Sequence, residues 1–171
     1  EFNGRTPMHL AAQEGHYDIF VLLSQLVNDT NPSDQNGNTP LHLAAKNGHT
    51  KIVEFLVPLL GNETNPENSK GWTPLHEAAG KGNLKIVQVI ASTLDNINPK
   101  DDEGWTPLRV AVSYGHLGIV KWYSERLENL NPIWLNEGEF NGTTPIHQAA
   151  MEGHLTIVKY LAPLLNDSNP G

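Results

Sequence analysis

The sequence predicts an all-α repeat solenoid, a stack of helix–turn–helix units joined by short hairpin fingers. Three observations carry that expectation. A Thr-Pro start recurs at Thr6-Pro7-Met8-His9, Thr39-Pro40-Leu41-His42, Thr73-Pro74-Leu75-His76, Thr106-Pro107-Leu108-Arg109 and Thr144-Pro145-Ile146-His147. The steps between successive copies are 33, 34, 33 and 38 residues, and a fixed period in this range belongs to stacked arrays. Each start leads to a glycine (Gly15, Gly48, Gly82, Gly115, Gly153) and then to an apolar stripe at helical spacing.

Each element follows from its residues. Threonine before proline suits an N-cap and first helical position, where the missing proline N–H loses no bond. The first helix of the first copy is predicted to run to about Glu14, with Gly15 at the left-handed position beyond it. The second helix carries Ile19, Phe20, Leu22, Leu23 and Leu26 on one stripe, repeated as Ile52, Val53, Phe55, Leu56 and as Ile157, Val158, Tyr160, Leu161. Pro58 and Pro163 fall late in that helix and are expected to kink or end it. Asn31-Pro32 recurs as Asn65-Pro66, Asn98-Pro99, Asn131-Pro132 and Asn169-Pro170. Proline pushes its predecessor to extended geometry, and polar residues with Gly37, Gly71 or Gly104 then supply hairpin chemistry. The fifth finger is five residues longer, the altered stretch being Ile133 to Asn141.

A unit of this length cannot bury its own apolar face. Residues 1–171 therefore form one elongated domain, with repeats at about 1–32, 33–66, 67–99, 100–132 and 133–171, the first and last incomplete. Glu1-Phe2-Asn3-Gly4 repeats Glu139-Phe140-Asn141-Gly142, and Ile157, Val158 and Leu161 lack the polar adaptation of a terminal repeat. Both points suggest a segment of a longer array.

Taken together, these residues resemble the ankyrin repeat: a finger, the Thr-Pro-Leu-His helix start, an Ala-Ala pair and a Gly-His turn. The resemblance spans nearly the whole chain. It implies L-shaped units in a curved stack with a concave face of finger tips and first helices. The pairs Ala11-Ala12, Ala44-Ala45, Ala78-Ala79 and Ala149-Ala150 fit, since small side chains let neighbouring helices approach closely. The chain departs from the family at Arg109, Val112, Asn83 and Gly61, and the usual Gly-Ala-Asp exit is replaced by Val27, Leu60, Leu94, Leu127 and Leu165. A longer second helix with a different exit is expected. This framework drift also argues against a synthetic selected binder. Asparagines at the Asn31, Asn65 and Asn98 position can be hydroxylated in intracellular members, although the following proline departs from that pattern.

The composition bounds the chemistry. A formal net charge of −8 disfavours phosphate-backbone contact and favours a neutral or basic partner. With no cysteine, disulfides and thiolate metal sites are excluded; an intracellular, cytoplasmic location is expected. No apolar run approaches membrane-spanning length. All eight histidines fall in the two scaffold motifs, four in the helix start and four (His16, His49, His116, His154) in the Gly-His turn. Their expected work is hydrogen bonding to threonine or backbone, so no catalytic, cofactor or metal site is assigned. The sequons at Asn28, Asn62, Asn141 and Asn166 have turn chemistry as their simpler explanation.

What remains is recognition. Positions that vary between copies while the framework repeats are the candidate partner contacts. Just before the Thr-Pro pairs these are Arg5, Asn38, Trp72 and Trp105. On the first helices they are Gln13, Glu14, Lys46, Asn47, Lys81, Tyr114, Met151 and Glu152. On the fingers they are Gln35, Asn36, Ser69, Lys70, Asp102, Glu103 and, in the long one, Trp134 and Phe140. Trp72 and Trp105 are the sharpest, since aromatic anchors dominate interface energetics, with packing between fingers as their competing role; Trp134, Leu135 and Phe140 come second and Tyr114 third, and Trp72, Trp105 and Tyr114 are expected to form a central hot spot. The acid run Asp101-Asp102-Glu103 reads as a solvated tip or as a dock for an arginine or lysine. The expected function is a non-catalytic, monomeric module binding a protein or peptide, with a preorganised stack supplying rigidity. The alternatives are a substrate-recruiting array of a larger enzyme or membrane-associated protein, and a structural spacer.

Overall fold

The computed structural model describes residues 3–127 and 143–167, with side chains described as far as residue 164. Among these residues ten α-helices follow in pairs: α1 (Pro7–Glu14) and α2 (Tyr17–Ser24), α3 (Pro40–Asn47) and α4 (Thr50–Leu60), α5 (Pro74–Gly80) and α6 (Leu84–Ala91), α7 (Pro107–Ser113) and α8 (Leu117–Leu127), then α9 (Pro145–Met151) and α10 (Leu155–Asp167). First helices pack on first helices (α1 on α3, α3 on α5, α5 on α7, α7 on α9), and second helices line up behind them. Among the described residues the architecture is an all-α repeat solenoid without strands.

Every first helix starts as its residues dictate. The N-cap threonines are extended, with φ from −112° to −83° and ψ near 160°, and proline follows at the first helical position. In the second copy His42 Nδ1 accepts the Thr39 N–H at 3.1 Å, and His42 N–H donates to Thr39 Oγ1 at 3.4 Å, a reciprocal cap that satisfies two orphan donors. The opposite ring nitrogen donates to the next finger: His9 Nε2 to the Asn38 carbonyl, His42 to that of Trp72, and His76 to that of Trp105, each at 3.0 Å. Nδ1 of each ring accepts a threonine amide N–H and the carbonyl at Nε2 can only accept, so these rings are neutral and carry their proton on Nε2.

The Gly-His histidines point the other way. His49 Nε2 donates to the Gln13 carbonyl at 2.8 Å, His116 to that of Gly80 at 3.0 Å, and His154 to that of Ser113 at 2.7 Å. Asn83 replaces the third of these and does the same work, its Nδ2 donating to the Ala45 carbonyl at 2.8 Å. Gly82 must remain glycine on two counts: φ is +75°, and a Cβ would lie 2.7 Å from His116 Nδ1. The Asn-Pro motif is a third tie. Asn31, Asn65 and Asn98 Oδ1 accept the N–H of Leu41, Leu75 and Leu108 at 3.0–3.1 Å, fastening each exit to the next helix start.

The apolar stripes sort by which neighbour they meet. Ile52, Ile86, Ile119 and Ile157 are all buried, whereas their equivalent Ile19 is 51% exposed, and Leu22 and Leu26 stand open beside it. The single inward stripe expected of the first copy is therefore corrected: Phe20 alone is fully buried, and Ile19, Leu22 and Leu26 lie on the open face of the first repeat. Ile157 and Leu161 are themselves fully buried, so their lack of polar character reflects packing within the stack.

The helix exits differ from expectation in detail. The second helices of the second, fourth and fifth copies are extended, whereas α2 and α6 stop after eight residues. In both short helices exit hydroxyls take backbone carbonyls: Ser24 that of Val21, and Ser92 and Thr93 those of Val89 and Ile90; Ser124 makes the same bond to Lys121 inside α8, which runs on to Leu127, so these bonds alone do not set helix length. Pro58 and Pro163 do not end their helices, which run on to Leu60 and Asp167. In the last turn a proline removes one hydrogen bond at a point where fraying already weakens it. Gly61, the extra residue, opens a 3₁₀ turn, Gly61–Glu63.

Candidate functional site

The fingers are held up by nested turns. Asp34 Oδ1 accepts the N–H of Asn36 and Asn38 at 2.8 and 2.9 Å, Asn68 Oδ1 those of Lys70 and Trp72, and Asp101 Oδ1 those of Glu103 and Trp105. Burial works to raise the Asp34 pKa. The two amides and the Arg5 side chain outweigh it and hold the carboxyl below its ordinary value. Successive tips join through Ser69 N–H to the Asn36 carbonyl and Asp102 N–H to the Lys70 carbonyl. At Gly71, with φ +70°, a Cβ would meet the Asp102 amide nitrogen at 2.6 Å. The stacked fingers therefore need glycine there.

Between fingers and first helices lies an open groove of about 810 Å³ across the second, third and fourth repeats. It is lined by ten of the candidate contacts: Asn36, Asn38, Lys46, Ser69, Lys70, Trp72, Lys81, Asp102, Glu103 and Tyr114. Asn68, Glu77, Gly80 and Asp101 complete it. Glu77 was legible as a departure, since its row reads Leu10, Leu43, Glu77, Val110, Gln148. Gly80 was legible as the one glycine in the row of Gln13, Lys46, Ser113 and Met151. Asn68 and Asp101 are turn-formers whose flanks face the groove; Asp101 was marked only as part of the acid run, and no sequence signal marked Asn68.

The remaining candidates sit elsewhere. Arg5 Nη1 donates to Gln13 Oε1 at 2.7 Å, and Gln13 Nε2 donates to Glu14 Oε1, one chain of contacts on the first repeat. Gln35 is exposed on its finger. Asn47 Nδ2 donates to the Leu43 carbonyl, and Glu152 accepts from Gln148. Met151 is exposed. Trp134, Leu135 and Phe140 lie outside the described residues. The two tryptophans are both engaged: Trp72 is tilted against His76 with ring centroids 4.9 Å apart, and Arg109 stacks 4.4 Å above Trp105. Each covers the residue at the helix-start histidine position of its own repeat. Tyr114 differs. It is 63% exposed and makes no ring contact or side-chain hydrogen bond among the described residues.

The imidazoles lie behind the groove, not in it. Burial lowers the His42 pKa to about 4, against the opposing pull of the Trp72 carbonyl, and it lowers His9 and His76 in the same sense. Among the described residues no group of three or more His, Asp or Glu side chains could hold a metal ion, and no helix is long and apolar enough to cross a membrane.

Comparison with known proteins agrees with this geometry. A family model described as ankyrin repeats in three copies matches residues 1–61 and again 57–132, and the single ankyrin-repeat model matches 141–170. No curated protein matches the chain significantly. With family matches over most of its length and repeats stacked in sequence, the chain belongs to the ankyrin-repeat family, whose repeats are in general protein–protein interaction modules.

Proposed function

We propose that the chain is a non-catalytic recognition module that docks a protein or peptide in the concave groove of its second to fourth repeats. One observation carries the reading: the repeated chemistry of the stack is consumed by the stack, and the groove also presents side chains that the stack does not use. The repeated histidines and the Asn-Pro asparagines bond neighbouring repeats, whereas Lys70, Lys81, Asp102, Glu103 and Tyr114 face the groove without a side-chain partner among the described residues. Rigid helices hold these groups in place before a partner arrives, which lowers the ordering cost of association. A monomer with an acidic surface suits this role.

The test is quantitative affinity purification with the wild-type chain beside a Tyr114→Ala/Lys81→Glu double variant. Both residues are exposed, so the variant is expected to keep its helical circular dichroism. A protein recovered by the wild type and lost by the variant supports the reading. Equal recovery by both, or no saturable partner, would overturn it and leave a spacer role.

A further inference from the structure

The groove's charges divide by repeat. Lys46 is engaged, its Nζ lying 3.3 Å from Glu77 Oε1, and Asp101 is committed to its turn. That leaves Lys70 and Lys81 in the third repeat and Asp102 and Glu103 on the fourth finger, all exposed and none in an ion pair among the described residues. Opposite charges thus face one concavity from adjacent repeats without neutralising each other. Tyr114 lies at the acidic end, in the fourth repeat.

Among the described residues three rings already carry a cation of their own, whereas Trp72, which also lines the groove, lies against His76. Trp105 carries Arg109 at 4.4 Å, Trp122 carries Arg126 at 4.2 Å, and Tyr160 carries Lys121 at 5.4 Å from the ring centre. Tyr114 has no such cation, although two free carboxylates line the same groove. An exposed aromatic face beside carboxylates favours a guanidinium, which can stack on the ring and donate to the acids at once.

Resting on the reading of the groove as a protein-binding site, we propose that its occupant is an extended segment of a partner that presents an arginine or lysine to Asp102, Glu103 and Tyr114 and a carboxylate to Lys70 and Lys81. Lys81 and Tyr114 cap the neighbouring helices α5 and α7, which lie about 8–10 Å apart, and an extended chain rises about 3.3 Å per residue, so a carboxylate at Lys81 and a cation at Tyr114 stand about three residues apart. Nucleic acid is disfavoured, because the acids would repel phosphate at one end of the groove.

The probe is a random-sequence short-peptide phage library panned on the folded 171-residue chain, followed by fluorescence anisotropy on the enriched peptides. Enrichment of Arg or Lys with Asp or Glu about three positions away is expected. Asp102→Lys/Glu103→Lys should weaken such peptides by about tenfold, and exchanging Arg for Glu in the peptide should recover binding to that variant. Asp102→Asn/Glu103→Gln, a milder change, should weaken them in the same direction if the reversal perturbs folding. Peptides enriched without this charge pattern, and bound equally by the charge variants but lost with Tyr114→Ala, would overturn the proposal while leaving the groove a binding site. Failure to enrich any peptide also overturns it; the affinity purification above then decides separately whether the module binds a folded partner.

Discussion

At the scale of single residues, the helix-start histidines show how a titratable group becomes scaffold. His42 accepts from the Thr39 amide through one nitrogen and donates to the Trp72 carbonyl through the other. A proton added to Nδ1 would meet the Thr39 N–H head on. Burial is the larger reason its pKa falls to about 4, and among charged neighbours Asp34 raises it while His76 and His9 lower it. The stability consequence has a definite sign. The unfolded histidine titrates near 6.5, so above that pH both states are neutral and the full contribution is present. Between 6.5 and about 4 only the unfolded state gains the proton, and stability is lost as pH falls, on the order of 3 kcal/mol for His42; His9 and His76 act in the same direction. Urea titrations at neutral pH and near pH 5 should show this loss, and NMR should find His42 unprotonated through pH 5. A His42 midpoint near 6.5 would refute the account.

At the scale of elements, equivalent positions are not equivalent environments. Ile86 lies between α6 and its neighbours and is fully buried, whereas Ile19, the same position on α2, is half exposed. Ile86→Ala should cost about 2–4 kcal/mol by cavity formation, and Ile19→Ala less than about 1 kcal/mol, read from denaturation midpoints of the two variants. Similar losses at both sites would mean that the first repeat's open face is covered in solution. This is also where the sequence stopped being legible. Helix starts were readable because the threonine, proline and histidine that make them are local. Helix exits were not, because Pro58 is tolerated near a helix end and a hydroxyl bonded to its own helix's carbonyl is found both where α6 stops and inside α8, which continues. The stripe of α2 read as buried because periodicity reports a face, not what lies against it.

At the scale of the whole molecule, repetition made the fold legible and its interruptions marked ten of the residues that line the groove. The ten that line the groove share rows set by the helix-start motif, while Arg5, Gln13 and Glu14 belong to the same rows one repeat too early to reach it. The groove draws its lining from three repeats and is absent from any single one. Main contacts run between consecutive repeats, so stability should behave as a sum of repeat and nearest-neighbour terms. The third repeat has neighbours on both sides, with α5 packed against α3 and α7, but among the described residues the main first-helix neighbour of α1 is α3. Opening the first repeat breaks one interface and releases a surface already exposed at Ile19, Leu22 and Leu26; opening the third breaks two. Native-state hydrogen exchange should therefore find amides of α1 and α2 in a less protected set than those of α3 to α6. A single opening free energy for all four elements would show that the stack opens as one unit, and the groove would then be as rigid at its first repeat as at its centre.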